Sequence, residues 1–156
     1  MRRRQICKVS LAGVAIPLGG CLGRLDPRPS NEIETPKPVA EADFEFSDGR
    51  YEDHRNNPTV RIDAENGRAV VTGTLLVGSG SCNEATLDGI TYDGESDTVT
   101  VVVTWASDEG GVCTDDISAD EYEVRLEFES LPSAITAIER DYRDEEYTTT
   151  EEIDTN

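Results

Sequence analysis

From Glu121 to Glu129, apolar and charged residues alternate without a break. Tyr122, Val124, Leu126 and Phe128 share one parity, and Glu121, Glu123, Arg125, Glu127 and Glu129 share the other. A period of two marks a strand with one buried and one wetted face. The same signature recurs along the chain. Phe44 and Phe46 alternate with acids, and Val60, Ile62 and Ala64 alternate with Arg61 and Asp63. In the run Ala69 to Val77, Ala69, Val71, Leu75 and Val77 share a face. Val99, Val101, Val103 and Trp105 line one face of the most apolar strand, and Val102 thickens the other. Leu87 and Tyr92 fall on opposite parities around Gly89, which predicts a β-bulge there. Glu65-Asn66-Gly67 and Asp93-Gly94 read as turns, since both suit the positive φ of a tight hairpin. After Leu131-Pro132, Ala134 to Ile138 predicts a short closing strand with some helical character.

About seven short strands separated by turn signals predict an all-β fold, an antiparallel β-sandwich of immunoglobulin-like type. A small β-barrel gives the same periodicity and stays as the alternative. The sequence holds no βαβ alternation, solenoid repeat or heptad. The strands occupy residues 39–142, about 100 residues and enough for one core. Residues 143–156, with Glu145-Glu146, Thr148-Thr149-Thr150 and Glu151-Glu152, are acidic and nearly devoid of core formers, so they predict a disordered tail.

The N-terminus has a different grammar. Arg2, Arg3, Arg4 and Lys8 precede an apolar run from Val9 to Gly20, and residues 1–20 hold no carboxylate. That run is too short for the roughly 20 residues that span a bilayer, and Pro17 interrupts any helix in it. It reads as a signal peptide of residues 1–20. Leu18-Gly19-Gly20-Cys21 reads as a lipobox, whose cysteine becomes the new N-terminus and takes up lipid. Arg3-Arg4-Gln5-Ile6-Cys7-Lys8 matches the twin-arginine export pattern, with Cys7 in place of the usual leucine. Residues 21–38 carry Pro27, Pro29, Pro36 and Pro38 among polar residues and predict an extended spacer. The expected location is the outer face of the cell membrane, with the lipid on Cys21 as the membrane contact.

The chain has 33 acidic and 14 basic residues, a formal net charge of -19. Removal of the leader takes away four positive charges and no negative ones, leaving -23. Lysine occurs only at Lys8 and Lys37. Self-repulsion at this density strains a compact state at ordinary ionic strength. At molar salt, where the Debye length is about 3 Å, it is screened. The carboxylates are scattered among strand positions rather than gathered in one block, which points to a halophilic surface. Nucleic acid is excluded as a partner, because phosphate binding needs a basic footprint. The twin arginines, the lipobox ending at Cys21, the Pro-rich spacer, the scarcity of lysine and a small two-cysteine β domain together resemble the small Tat-exported lipoproteins of haloarchaea. The match in residue detail covers the first 21 positions. That family is mostly of unknown activity, so the resemblance implies an address and no catalytic residue.

Cys7 leaves with the leader and Cys21 is lipidated, which leaves Cys82 and Cys113. An even pair outside the reducing cytoplasm predicts a structural disulfide at one end of the fold. Catalytic chemistry finds little to work with. His54, the one histidine, sits in a polar stretch and reads as a solvated loop residue. The only methionine is Met1, which excludes a blue-copper site. Asp93, Glu95 and Asp97 form one weak calcium candidate, and Asp108 with Asp115 and Asp116 forms another. Neither has the roughly 12-residue EF-hand spacing, and acidic loops are expected at this charge. Trp105 reads as the core anchor. No cofactor motif is present. The leading expectation is a lipid-anchored binding or structural module without catalytic activity. The alternative is an accessory subunit or inhibitor of an exported enzyme or transporter, which makes an unidentified surface protein the partner.

Overall fold

The alternating runs become strands whose apolar parity turns inward, although Ala64 falls in the turn after β2 and is exposed. The computed structural model describes residues 33–107 and 110–154. Arg3, Arg4, Cys21 and Asp108 lie outside the described residues. The strands are β1 (Val39–Asp48), β2 (Thr59–Asp63), β3 (Arg68–Gly78), β4 (Asn83–Asp93), β5 (Thr98–Ser107), β6 (Ser118–Phe128), β7 (Ala134–Arg140) and β8 (Glu146–Glu152). One short 3-10 helix, Tyr51–Arg55, links β1 to β2.

The strands form two four-stranded sheets, ordered β1-β6-β3-β2 and β4-β5-β7-β8. Neither closes on itself or pairs with the other, so the fold is a sandwich and not a barrel. Between the sheets lie Val71, Leu75 and Val77 of β3, Val99, Val101 and Val103 of β5, Val124 and Leu126 of β6, and Ile135 and Ala137 of β7. All are essentially inaccessible to solvent. The predicted bulge is present, with the β4–β5 register slipping between Leu87 and Gly89. Gly67 takes φ 64° in the β2–β3 turn, a left-handed conformation that glycine adopts without Cβ strain.

Five expectations are corrected. The stretch expected as a tail contains β8, which pairs antiparallel with β7. Its parity carries Thr and Glu, so it has no apolar signature and is held by backbone ladder bonds. Pairing is not antiparallel throughout, since β5 and β7 run parallel with Val101 opposite Ala137. The cause is connectivity: β6 crosses to the other sheet between them, and β7 returns in the direction of β5. The immunoglobulin strand order is also absent, because there the first strand neighbours the second, and here β1 neighbours β6. The spacer ends earlier than expected, since Ile33 already packs partly buried against the core. Trp105 packs on that core half-buried rather than anchoring its centre.

Candidate functional site

The outer face of the first sheet is a lattice of charge. Register sets Glu45 opposite Glu123, Asp43 opposite Arg125, and Ser47 opposite Glu121. On the other side of β6, Thr72 faces Glu123 and Thr74 faces Glu121. The 3-10 helix packs on β3 and β6. Between it and the sheet opens a groove of about 720 Å³, lined by Glu45, Asp53, Asn56, Asn57, Thr72, Thr74, Glu121 and Glu123, among others. Arg125 is the cation of this lining and is held on both sides, 3.6 Å from Glu45 and in contact with Glu123. Glu45, Asp53, Glu121 and Glu123 against the one guanidinium leave the lining negatively charged. The groove suits a ligand that brings hydrogen-bond donors or positive charge.

His54 is a correction. The sequence places it in a solvated loop, and the structure buries it to 5% exposure on the 3-10 helix. Its Nδ1 lies against the Tyr51 carbonyl oxygen, and its ring is 4.7 Å from that of Tyr51. A turn of only five residues brings both rings together, which compacts this end of the chain.

Under the groove lies a group that sequence reasoning missed. Glu139 is 1% exposed, at the heart of the sandwich. The Tyr122 hydroxyl of β6 donates to Glu139 Oε1 at 2.6 Å, a hydrogen bond that links the two sheets. Oε2 has no hydrogen-bond partner among the described residues. Burial pushes the Glu139 carboxyl up from its ordinary 4.5 to about 7, against the opposing pull of the Tyr122 hydrogen bond. The Tyr122 phenol is likewise raised, by burial first and by the neighbouring carboxylate second. Gly73 makes room for the pair. A Cβ there would overlap Glu139 Oε1 and sit 2.6 Å from the Tyr122 hydroxyl. The signal was available, since Ile135, Ala137 and Glu139 share one parity and the acid completes an otherwise apolar face.

Of the calcium candidates, Asp93, Asp97 and Asp116 are engaged in hydrogen bonds of turns and loops. Asp93 accepts hydrogen bonds from the Glu95 N–H at 2.9 Å and the Ser96 hydroxyl at 2.8 Å. Those bonds hold its carboxyl below the usual range. Asp97, at φ 48°, joins three segments. It accepts from the Ser133 hydroxyl at 2.7 Å and from the Tyr92 hydroxyl at 2.9 Å. The Ser133 hydroxyl most strongly, and the Tyr92 hydroxyl after it, lower its pKa, and the Asp97 acceptor raises that of Tyr92. In the second cluster, Asp116 accepts from Ser118 at 3.1 Å and from Thr114. Among the described residues, no three His, Cys, Asp or Glu side chains converge as a metal set.

The predicted disulfide joins Cys82 and Cys113, with Cα atoms 5.4 Å apart. Cys82 lies on the β3-to-β4 crossover and Cys113 on the β5-to-β6 crossover, so the bond ties two of the three inter-sheet connections to each other. The Thr114 N–H donates to Ser81 Oγ at 2.9 Å beside it. The buried Asp120 accepts from the Ala85 N–H at 2.9 Å, a further link between sheets. No family model, curated protein or solved structure matches the chain.

Proposed function

We propose that this chain is a lipid-anchored, non-enzymatic binding module on the outer face of the cell membrane, with the groove beside the 3-10 helix as its ligand-facing surface. The observation that carries the reading is the composition of that groove: carboxylates, amides and hydroxyls beside the Phe46 and Tyr122 side chains, with the one lining arginine already neutralised by Glu45 and Glu123. A nucleophile needs a base within hydrogen-bond reach; His54 is buried against Tyr51 and does not line the groove, and the hydroxyl of Tyr122, which does, is turned inward to Glu139, 1% exposed and closed to a ligand. The matching ligand class is a small polar molecule rich in N–H or O–H donors, cationic ones favoured. The disulfide and the lipobox ending at Cys21 both fit an exported address.

The test has two arms. Intact mass of protein from cell membranes is expected to show lipid on the Cys21 N-terminus, and Cys21→Ser is expected to release the protein or leave it unprocessed. Backbone NMR during titration with polyamines and oligosaccharides is expected to move the Thr72, Thr74 and Glu121 amides. Unmodified Cys21 refutes the anchor; shifts confined to other surfaces refute the groove.

A further inference from the structure

The outer faces of the two sheets differ in kind. That of the first is crossed by charges on every strand. In the second, parity turns Thr98, Thr100, Val102 and Thr104 of β5 away from the core, while Val99, Val101 and Val103 are buried. One lateral row runs Gly89, Val102, Ile138, Thr148 across all four strands. The next runs Thr91, Thr100, Thr136, Thr150, with the Thr136 and Thr150 hydroxyls 2.9 Å apart. These side chains are half-buried or exposed, and none carries charge. The charged groups of this face lie at its rim. Exposed Glu84 and Asp88 stand on β4, Asp93 and Glu152 at one end, and the Arg140–Glu146 ion pair (3.1 Å) at the other. An apolar centre at Val102 and Ile138, a surround of hydroxyls and a charged rim form the anatomy of a protein interface.

We infer that this uncharged sheet face is a self-association surface, on which a second copy of this chain packs face to face about a two-fold axis. Two observations select that occupant. A threonine hydroxyl both donates and accepts, so a threonine lattice is complementary to its own image, as an isologous contact requires. In a chain with a net charge of -19, the two central rows of this face carry no carboxylate, so a like-charged copy meets carboxylates only at the rim, where salt screens them. Four strands about 4.8 Å apart and seven residues of about 3.3 Å rise give roughly 440 Å² per copy. The two-sided total of roughly 900 Å² falls below the ~1,200 Å² of stable complexes. The dimer is therefore weak and reversible, and it strengthens as salt screens the rim.

The experiment is sedimentation equilibrium on the full chain carrying Cys7→Ser and Cys21→Ser, which removes association through lipid or through either thiol outside the disulfide. Protein is taken to about 1 mM, where millimolar dissociation constants are measurable, from about 0.1 M to about 3 M potassium chloride. A monomer–dimer equilibrium that tightens with salt is expected. Val102→Asp is expected to weaken it at least about tenfold, equivalent to about 1.4 kcal/mol. Thr150→Asp, on an edge strand that tolerates the change, repeats the test should the first variant fold poorly. Val70→Asp, on the outer face of the opposite sheet and outside the groove lining, is the matched control and is expected to leave association unchanged. A chain that stays monomeric throughout, a dimer that dissociates as salt rises, or equal sensitivity to Val70→Asp overturns the inference. A monomer whose Val102 and Thr150 amides shift only with anionic lipid vesicles also overturns it, and assigns the face to lipid.

Discussion

Replacing Glu139 by glutamine tests the interior carboxyl directly. The folded protein holds this group near 7 against an ordinary 4.5, so between those values the native state binds more protons than the unfolded chain. Stability then falls as pH rises. The contribution of the protonated group is fully present below about 4.5 and is lost as pH passes through about 7. A separation of roughly 2.5 units corresponds to about 3 kcal/mol at the alkaline end, of which about 2–3 kcal/mol develops between roughly pH 5 and pH 8. Glutamine keeps an oxygen to accept from Tyr122 but cannot ionise. Its amide nitrogen takes the place of the unpartnered Oε2, where the protonated acid likewise leaves its O–H without an acceptor, so an unmet-donor cost of about 1–3 kcal/mol is largely common to both proteins below about 7. The variant is thus expected to be close to wild type near pH 5 and stronger near pH 8. Urea denaturation followed by Trp105 fluorescence, in molar salt to screen the surface acids, gives both curves. Their difference isolates Glu139, because every other carboxylate is common to both proteins. Parallel pH profiles for wild type and Glu139→Gln would refute the argument.

Gly73→Ala places a methyl group into the Tyr122–Glu139 hydrogen bond, and overpacking there is expected to cost about 1–3 kcal/mol or more; denaturation of Gly73→Ala beside Gly73→Ala/Glu139→Ala checks it, since removing the acid should recover part of the loss. Cys82→Ser and Cys113→Ser open a bridge that spans 31 residues, for which chain entropy gives about 3–4 kcal/mol, measured as a lower denaturation midpoint equal in both variants and in the double. Asp97→Ala removes the acceptor that raises the Tyr92 phenol, so ultraviolet titration is expected to show one tyrosine ionising at lower pH. The Asp93 and Asp97 carboxyls, both held low, contribute stability above the ordinary carboxylate range that is lost as pH falls below it, which acid unfolding of Asp97→Ala should show as a reduced slope.

Where one parity is apolar and the other wet, the sequence predicts the strand and the face it buries. Ala69, Val71, Leu75 and Val77 are buried as their spacing implies, and Gly89 marks the bulge. Partner choice is a different matter. Alternation in β5 and β7 reports which side chains turn inward and nothing about direction, so their parallel pairing needed the three-dimensional path of β6. Strand β8 escaped because Tyr147, Thr149 and Glu151 occupy its inward parity, and an edge strand can be held by its backbone alone. The buried Glu139 was legible by phase and hidden by type. In a chain with 33 acidic residues, one more glutamate at the end of an apolar run carries no contrast.

The excursion of β6 into the opposite sheet has a kinetic consequence. Sheet β4-β5-β7-β8 can form its two hairpins, β4–β5 and β7–β8, from neighbouring sequence, but their junction is the parallel β5–β7 seam. That seam closes only after the chain has travelled to the other layer, laid β6 between β1 and β3, and returned. Neither layer is complete while the other is missing, so no half of the molecule is a stable stopping point. Such non-local pairing places folding in the millisecond-to-second range of β-sandwiches. Until the seam closes, the valine row of β5 presents an unpaired edge to any other chain nearby, and dense surface charge is the feature that keeps those chains apart.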